Sequence, residues 1–381
     1  MNINLPLIIE QRITELLGIS GLHMFNQSVH KKRLNALREQ MVSLSDDFAG
    51  FKRTEDDYSD AYFAYNFPFN LMKSFLVADR MKRDGAFGGL AEKKEFAILD
   101  IGCGDGAGMF GLALSLAEDC RSAHFSLTGV DSSGIMLNKC REMREAVIGS
   151  LRGNADINFL CRSVDVNINS GFAGKYDVII LANSLLEIIP GGSVPMEFIT
   201  GLFGMLNEGG AIVIIEPALK ESARRLMALR NELTGNGGGR VLSPCLHGAV
   251  CPLLEIKSRN EWCHQSLRWN PPVHIKILNQ GLDREIDFLK FSYLVIAKNG
   301  RKEPSNGYLV VSNLLMEKGR KRCFLCTSQG RVELVRLDRH KTETNSRFDV
   351  IHKGDVLELQ NHAELRPQYW NVKEDSKITI F

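Results

Sequence analysis

Apolar residues recur at helical spacing in the first part of this chain. They follow a helical period from Leu7 to Leu17 and again from Leu71 to Arg80, and a basic helix is expected to begin near His30–Arg33. The aromatic stretch Tyr58–Phe69 is expected to lead into the helix that starts at Leu71. Residues 1–90 are therefore predicted to form a helical N-terminal region.

From Phe96 to about Arg230, short apolar runs alternate with amphipathic stretches. The apolar runs predict five strands: Phe96–Ile101, His124–Val130, Ile157–Val164, Tyr176–Leu181 and Ala211–Glu216. The stretches between them predict helices, for example Gly108–Glu118, Ser133–Ile148 and Pro195–Leu206. This alternation is typical of a parallel sheet covered by helices on both faces. Residues 91–234 are therefore predicted to form a Rossmann-like α/β core.

Two further regions follow the core. Residues 235–300 begin with a glycine-rich stretch, contain several cysteines, and end in an apolar run, Glu285–Lys298, that is predicted to return to the sheet. In residues 301–381 the helical pattern fades. Short alternating runs there predict a small β module of barrel-like form: Tyr308–Leu315, Arg331–Leu337 and Val356–Leu359.

Composition narrows the class of protein. The chain is 44% hydrophobic and 24% charged, as ordinary globular proteins are, and no apolar run approaches a membrane span. Its first residues resemble neither a secretory signal nor a transit peptide, so we expect a reducing, bacterial-type cytoplasm. We also expect a monomer with no membrane partner. In such a compartment the nine cysteines are expected to be ligands or buried thiols. A net charge of +2 leaves any contact with phosphates to local patches.

The first core strand ends in a glycine-rich turn, Gly102-Cys103-Gly104-Asp105-Gly106. Glycines there let the backbone approach a ligand closely. The next two strands end in Asp131 and Asp165, placed for the ribose hydroxyls and the adenine amine of a nucleoside. Asp105 would repel a pyrophosphate but suits the positively charged amino-acid end of S-adenosylmethionine. The alternatives are a dinucleotide, whose folds also use glycine turns, and a Rossmann-like pocket that binds nothing.

The fourth core strand runs into Asn183, where methyltransferases place groups that face the substrate. The predicted cofactor residues are therefore Asp100, Gly102, Gly104, Asp105, Asp131, Asp165 and Asn183. No Asp/Asn-Pro-Pro-Tyr/Phe motif for amine methylation follows that strand, and Asn270-Pro271-Pro272 is interpreted as a turn. The sequence assigns no catalytic residue and no acceptor atom.

Five cysteines follow the core. Five residues separate Cys245 from Cys251, eleven separate Cys251 from Cys263, and Cys323 and Cys326 form a C-x-x-C pair. Because thiolates are soft ligands, an iron–sulfur cluster or zinc is expected, although buried apolar thiols are the alternative. Two histidines are further candidates as ligands or as neighbours of the ligands: His247 and His264. The remaining cysteines lie in the core and are interpreted as packing residues: Cys103, Cys120, Cys140 and Cys161.

The segment around these cysteines resembles a known family. Ser243–Leu253 reads Ser-Pro-Cys-x-His-x-x-x-Cys-Pro-Leu, and Trp262-Cys263-His264 and Phe291–Val295 follow it. This pattern resembles the methyltransferase-like family tied to assembly of the small ribosomal subunit, which has mitochondrial members and bacterial relatives. The chain departs from the family at Leu246, where a proline is usual.

The resemblance implies a [4Fe–4S] cluster on four cysteines: Cys245, Cys251, Cys263 and Cys326. It favours Cys326 over Cys323, because a short turn to glycine follows Cys326 as in the family. It also implies S-adenosylmethionine binding, docking on RNA and proteins of the small ribosomal subunit, and a mitochondrial matrix location in a eukaryote. Three functions stay open: an assembly or translation factor, an active rRNA methyltransferase, and a zinc-stapled methyltransferase of a small molecule or protein.

A basic stretch lies near the last cysteines. Between Glu317 and Lys341 there are eight basic residues against three acidic ones: Lys318, Arg320, Lys321, Arg322, Arg331, Arg336, Arg339 and Lys341. On a β module such residues can follow RNA phosphates, or they can form an ordinary solvated surface. The family resemblance favours an RNA interface, with His30–Arg33 as a weaker second patch.

Overall fold

The computed structural model describes residues 3–49, 58–85, 93–120, 123–151, 156–164, 174–235, 238–255, 261–282, 284–298 and 307–381. The chain forms two compact units, each assembled from several segments. Unit 1 contains Met1–Pro190, Gly204–Ile215 and Arg268–Leu289. Unit 2 contains Gly191–Phe203, Glu216–Leu267 and Lys290–Phe381. These units cut across the four consecutive regions expected from the sequence.

Unit 1 is built on five parallel strands in the order β3-β2-β1-β4-β5. They are β1 (Glu95–Ile101), β2 (His124–Asp131), β3 (Asp156–Ser163), β4 (Tyr176–Ala182) and β5 (Leu206–Pro217, of which Leu206–Ile215 belongs to this unit). The strand order reverses between β1 and β4. In such doubly wound sheets ligands bind at the carboxyl ends of the strands beside this reversal. All five predicted core strands are present, so the Rossmann-like sheet is confirmed.

Seven helices belong to unit 1 within the described residues. They are α1 (Leu7–Leu16), α2 (Lys31–Ala49), α3 (Ser59–Arg83), α4 (Ala107–Ala117), α5 (Gly134–Ser150), α6 (Leu185–Ile188) and α10 (Val273–Leu278). Every residue of α4 is buried, as expected of a helix that is apolar on all sides. Helix α3 crosses α4 at Gly111, where any side chain would overlap the carbonyl oxygen of Leu71.

One prediction in this unit was wrong. The aromatic stretch was expected to lead into a helix starting at Leu71, but α3 already begins at Ser59 and runs through Pro68. Phe63 and Phe67 lie one turn apart, are fully buried, and bring their ring centroids within 5.2 Å. Because burying two such rings outweighs the loss of one backbone hydrogen bond at a proline, the aromatic stretch is helical.

Unit 2 contains three more helices and a small group of strands. The helices are α7 (Met196–Gly204), α8 (Lys220–Gly235) and α9 (Pro252–Glu255), and the strands are β6 (Arg240–Ser243), β7 (Gln265–Arg268) and β8 (Phe288–Ala297). The run predicted at Glu285–Lys298 is β8. It pairs antiparallel with β6 and also pairs with β7.

Residues 307–381 of unit 2, called the β module here, form an eight-stranded sheet. Its strands are β9 (Gly307–Val310), β10 (Leu315–Glu317), β11 (Arg320–Thr327), β12 (Gly330–Leu337), β13 (Val356–Gln360), β14 (Ala363–Arg366), β15 (Tyr369–Val372) and β16 (Lys377–Ile380). The order is β14-β15-β12-β11-β9-β13-β16, with β10 beside β11. Between β14 and β16, the two ends of this path, the described residues show no pairing. One apolar core, which includes Cys323, Leu325, Phe348 and Trp370, holds the module together.

None of the helices described is long and apolar enough to cross a membrane.

Candidate functional site

The glycine turn, residues 102–106, lies at the carboxyl end of β1 in unit 1. Gly102, Gly104 and Gly106 have φ angles of 72°, 51° and 83°, a left-handed conformation that favours glycine. At Gly102 a side chain would also overlap Ser184, whose hydroxyl donates a hydrogen bond to the carbonyl oxygen of Ile101 at 2.6 Å. The turn is therefore fixed by conformation and by packing against the end of β4.

Asp131 fastens this turn to the end of β2. Its Oδ2 accepts a hydrogen bond from the backbone N–H of Gly104 at 2.7 Å, and its Oδ1 accepts one from Ser133 at 2.8 Å. Each oxygen has one backbone donor and retains a further lone pair. The structure thus places two predicted residues, Gly104 and Asp131, in direct contact.

Two more predicted carboxylates lie at the turn. Asp100 is fully buried and accepts a hydrogen bond from the backbone N–H of Met109 at 2.9 Å, so it orients the first turn of α4. Asp105 accepts one from Ala107 at 3.2 Å, while its buried Oδ2 has no partner among the described residues. Burial, opposed in part by that backbone bond and reinforced by Asp131, raises the pKa of Asp105 to about 7.

Two residues near the turn, Tyr62 and Glu187, were not selected from the sequence. Burial raises the pKa of Tyr62, and the charges of Asp105, Glu187 and Asp131 raise it further, so these three carboxylates lie near the Tyr62 hydroxyl. Asn183, which was predicted, follows β4 with a φ of 60° and donates its backbone N–H to the carbonyl oxygen of Ile215 at 2.7 Å. In the sequence, Tyr62 is one of several aromatic residues in a row, and no motif marks it. Its position near these carboxylates follows from the folding of α3. Asp165, the remaining predicted residue, lies outside the described residues.

In unit 2 the structure brings four predicted cysteines together. Cys251, Cys263 and Cys326 belong to one apolar cluster with Met227 and Trp262. Burial raises the pKa of Cys326, and the charges of Cys245, Cys263 and Cys251 raise it further. Three segments of unit 2 thus bring four thiols to one region. Cys245 and Cys251 lie in the loop after β6, Cys263 lies just before β7, and Cys326 lies near the end of β11.

Strand alternation separates Cys326 from Cys323. Side chains at odd positions of β11, such as Cys323 and Leu325, point into the core of the β module. Phe324 and Cys326 point to the opposite face and join the other cysteines. Of the C-x-x-C pair, Cys326 is therefore the member that lies with Cys245, Cys251 and Cys263.

Polar groups support the cysteine group from outside. His247 places its Nε2 3.3 Å from the sulfur of Cys326, whereas the His264 ring lies 3.0 Å from the Lys353 ammonium. Arg230, which is 1% exposed, donates hydrogen bonds to the carbonyl oxygens of His247 and Ala249 and so holds the loop between the first two cysteines. No motif in the sequence pointed to Arg230.

The arrangement restricts what the cysteines can bind. Within the described ranges, no three His, Cys, Asp or Glu side chains converge closely enough to hold a single metal ion. Yet burial raises the pKa of Cys263, and the charges of Cys245 and Cys251 raise it further. The four thiols therefore lie near one another. Deprotonating all four in this apolar setting requires compensating positive charge.

Most of the basic side chains between Glu317 and Lys341 form ion pairs with carboxylates. Arg320 and Arg322 both bond Glu317, at 2.7 Å in each case. Asp349 accepts from three cations: Lys321, Arg336 and Lys341. Arg331 pairs with Glu261. Lys318 and Arg339 are exposed and form no ion pair with a carboxylate in the described part of the chain.

A sequence model of one family, described as mitochondrial small ribosomal subunit Rsm22, matches residues 90–357 of this chain. That is 268 of 381 residues and includes both the glycine turn and the four cysteines. The chain belongs to the Rsm22 family. Membership confirms the family resemblance that the cysteine motif indicated. A search of curated protein sequences gives no match.

Solved structures of several methyltransferases are among those similar to this chain. A Listeria monocytogenes protein assigned as a class I S-adenosylmethionine-dependent methyltransferase is 12% identical, with a TM-score of 0.38 over 78% of this chain and 90% of that one. Magnesium protoporphyrin IX methyltransferase of Synechocystis with bound S-adenosylhomocysteine is 14% identical, with a TM-score of 0.31 over 68% and 100%. A Geobacter sulfurreducens methyltransferase in complex with S-adenosylhomocysteine is 14% identical, with a TM-score of 0.32 over 60% and 91%. These are remote likenesses, and the strand order of unit 1 itself defines the fold of this Rsm22-family chain.

Proposed function

We propose that this protein is an assembly or translation factor of the small ribosomal subunit that binds S-adenosylmethionine in unit 1 and a structural [4Fe–4S] cluster in unit 2. One observation carries the proposal: the match to the small-subunit family extends over both sites. The chemistry of each site supports the same conclusion.

The glycine turn suits S-adenosylmethionine. The unpaired oxygen of Asp105 is a buried acceptor that matches the positively charged amino group of the cofactor's methionine part. Asp131 retains lone pairs for the two ribose hydroxyls. When bound, the cofactor would supply an activated methyl group. Tyr62, Asp105 and Glu187 would face its methionine end, while Asp100 supports the turn from below.

The cysteine group suits an iron–sulfur cluster better than zinc. Around one zinc ion, ligand sulfurs lie about 2.3 Å from the metal and therefore close to one another. A [4Fe–4S] cluster binds each cysteine at a different iron atom, so its four sulfurs stand farther apart. Four neighbouring thiols in an apolar setting suit thiolate ligation, and the family resemblance of the cysteine motif favours the cluster over zinc. The cluster would hold Cys245, Cys251 and Cys263 to Cys326 and so tie the loop after β6 to the β module.

The RNA interface would use Lys318 and Arg339, the basic side chains of this stretch that form no ion pair among the described residues. Lys318 lies in the two-residue turn between β10 and β11, and Arg339 lies in the short 3-10 helix Asp338–His340. The backbone N–H of Asp338 donates to the carbonyl of Gly319 at 3.0 Å, so these two elements touch. We infer that this corner of the β module contacts small-subunit RNA phosphates, and that Arg320 and Arg322 chiefly stabilise the hairpin.

An active rRNA methyltransferase is the second candidate. The observation that favours it is Asn183, a non-glycine residue held at a φ of 60° beside the proposed cofactor pocket, since such strain is common at active sites. In either case the protein would act where small ribosomal subunits are assembled, and the family description supports the mitochondrial matrix for a eukaryotic chain.

Two measurements on anaerobically purified protein test the proposal. Iron and sulfide analysis should give close to four of each per chain with little zinc, and sedimentation with small subunits should show salt-sensitive binding. Stoichiometric zinc would refute the cluster, and an absence of binding to the small subunit at low salt would refute the ribosomal role. Transfer of labelled methyl groups to small-subunit RNA would replace the first candidate with the second.

A further inference from the structure

Three cysteines of unit 1, none of them among the four cysteines of unit 2, converge beneath the glycine turn. Cys103 lies in the turn, Cys140 on α5, and Cys161 on β3. The sulfurs of Cys140 and Cys161 lie 3.4 Å apart, and the Cys103 thiol is within hydrogen-bonding reach of both. From the sequence alone, each of them was interpreted as a packing residue, and none of them has a role in either proposed site.

The three thiols differ in access. Cys140 is completely buried and Cys103 nearly so, whereas Cys161 is half-buried on β3, the last strand in the sheet order of unit 1. Hydrogen bonds to the thiols of Cys103 and Cys140 lower the pKa of Cys161 to about 4, and the Arg141 cation lowers it further. The most accessible member of the group is therefore also the best nucleophile.

We propose that Cys161 and Cys140 form a reversible disulfide when a hydroperoxide oxidises Cys161, and that this bond weakens cofactor binding at the glycine turn. The first half stands on the geometry of the three thiols alone. The second half rests on the proposed function, because it requires that the turn bind S-adenosylmethionine.

The chemistry needs one equivalent of peroxide. The Cys161 thiolate attacks a peroxide oxygen; an S–O bond forms, the O–O bond breaks, and hydroxide leaves as water after taking a proton. The Cys140 sulfur then attacks the resulting sulfenic acid. An S–S bond forms, the S–O bond breaks, and hydroxide leaves as a second water with the Cys140 proton. Two thiols are oxidised by two electrons, and hydrogen peroxide is reduced to two waters.

The disulfide would alter the packing under the turn. The Cys140 sulfur lies directly against Gly106, where any side chain would overlap it, and the Cys103 sulfur lies 2.8 Å from the position of a Cβ on Gly129. Because an S–S bond is about 2.05 Å long, the two sulfurs must move about 1.3 Å closer than their present separation of 3.4 Å. Cys140 would then withdraw from Gly106, and the turn above it would lose its close packing. We expect cofactor affinity to fall roughly tenfold, as for other repacking of a dense core.

Peptide mapping tests the disulfide directly. The metal-loaded protein is treated with one equivalent of hydrogen peroxide, alkylated and digested, and Cys120→Ser serves as the matched control because Cys120 is buried in the same unit outside the trio. A Cys140–Cys161 linked peptide is expected in the wild type and in Cys120→Ser, and not in Cys161→Ser. Its absence from the wild type, or its replacement by a link to Cys103, would overturn the assignment.

Calorimetry on the same samples tests the consequence. Affinity for S-adenosylmethionine should fall roughly tenfold in peroxide-treated wild type, recover with a thiol reductant, and stay unchanged in treated Cys161→Ser. Equal affinity before and after disulfide formation would overturn the second half of the proposal. Reduced protein that binds no cofactor would instead refute the cofactor site itself, while the linked peptide would still establish the disulfide.

Discussion

At Asp105, charge and burial conflict beside the proposed cofactor site. Ionising a buried carboxylate costs free energy, and its folded pKa of about 7 lies above its ordinary value of 3.8. In the unliganded protein, the protonated form therefore contributes stability that is present below pH 3.8 and is lost as the pH rises through about 7. A cationic ligand reverses this preference, because it requires the ionised carboxylate.

This conflict predicts how cofactor binding depends on pH. Affinity for S-adenosylmethionine should rise as the pH increases through about 7, until the ligand's own α-amino group begins to lose its proton near pH 8. Asp105→Asn should bind about tenfold more weakly at neutral pH and lose the rise, since a hydrogen bond to a charged group contributes ~1.5–3 kcal/mol. Calorimetry across this pH range measures both effects.

The exposed Asp119→Asn is the control, since that residue lies outside the turn and should keep the wild-type profile. If the affinity of Asp105→Asn for S-adenosylmethionine still rose with pH, another carboxylate would have to bind the cofactor's amino group. Asp131 would be the first to test.

At the scale of elements, the crossing of α3 and α4 depends on one missing side chain. Gly111→Ala should destabilise the protein by ~1–3 kcal/mol, because the new methyl group overlaps the Leu71 carbonyl oxygen and the helices must separate. Gly201→Ala on α7 is the matched control, since nothing lies within 4 Å of its added carbon. It should be neutral or stabilising by ~0.5–1 kcal/mol. Urea unfolding compares the two variants, and equal stabilities would contradict the close crossing.

The hairpin of β10 and β11 yields a different kind of prediction. Lys318→Glu with Arg339→Glu should weaken binding to small-subunit RNA and lower the salt slope by about one to two counterions, because two phosphate contacts would be lost. Arg320→Glu should mainly lower stability, since it breaks an ion pair with Glu317. Filter binding at several salt concentrations, with thermal unfolding of each variant, separates the two roles. Unchanged slopes in the double variant would leave this corner as solvated surface.

The elements themselves show how far the sequence could be interpreted. The five core strands were predictable because strands buried on both faces consist of continuous apolar runs. The start of α3 was not, because Pro68 is normally a boundary signal and only the burial of Phe63 and Phe67 overrides it. Alternation along β11 could have assigned Cys326 and Cys323 to opposite faces from the sequence alone. The convergence of Cys103, Cys140 and Cys161 could not, because it joins a turn, a helix and a strand through tertiary packing.

For the whole molecule, the proposed cluster links distant parts of unit 2. Cys326→Ala should lose iron and make the β module and residues 245–263 sensitive to proteases, because metal binding of this kind contributes directly to folding. Cys323→Ala, the control three positions away, should retain iron and lose about 1 kcal/mol of stability, since it only removes a buried sulfur from the module core. Iron analysis and limited proteolysis distinguish the variants. Iron loss in both, or in neither, would contradict the ligand set.

The order of the segments along the chain determines when each cysteine of unit 2 is synthesised. Chains emerge from the ribosome N-terminus first, so Cys245, Cys251 and Cys263 are made well before Cys326 on β11. Between them the chain must produce Arg268–Leu289, which belongs to unit 1, and then β8 and β9. Until about residue 330 has been translated and released from the exit tunnel, the nascent chain holds three thiols without their fourth partner. A metal-delivery system would therefore meet a complete site only late in translation, when unit 1 is already synthesised.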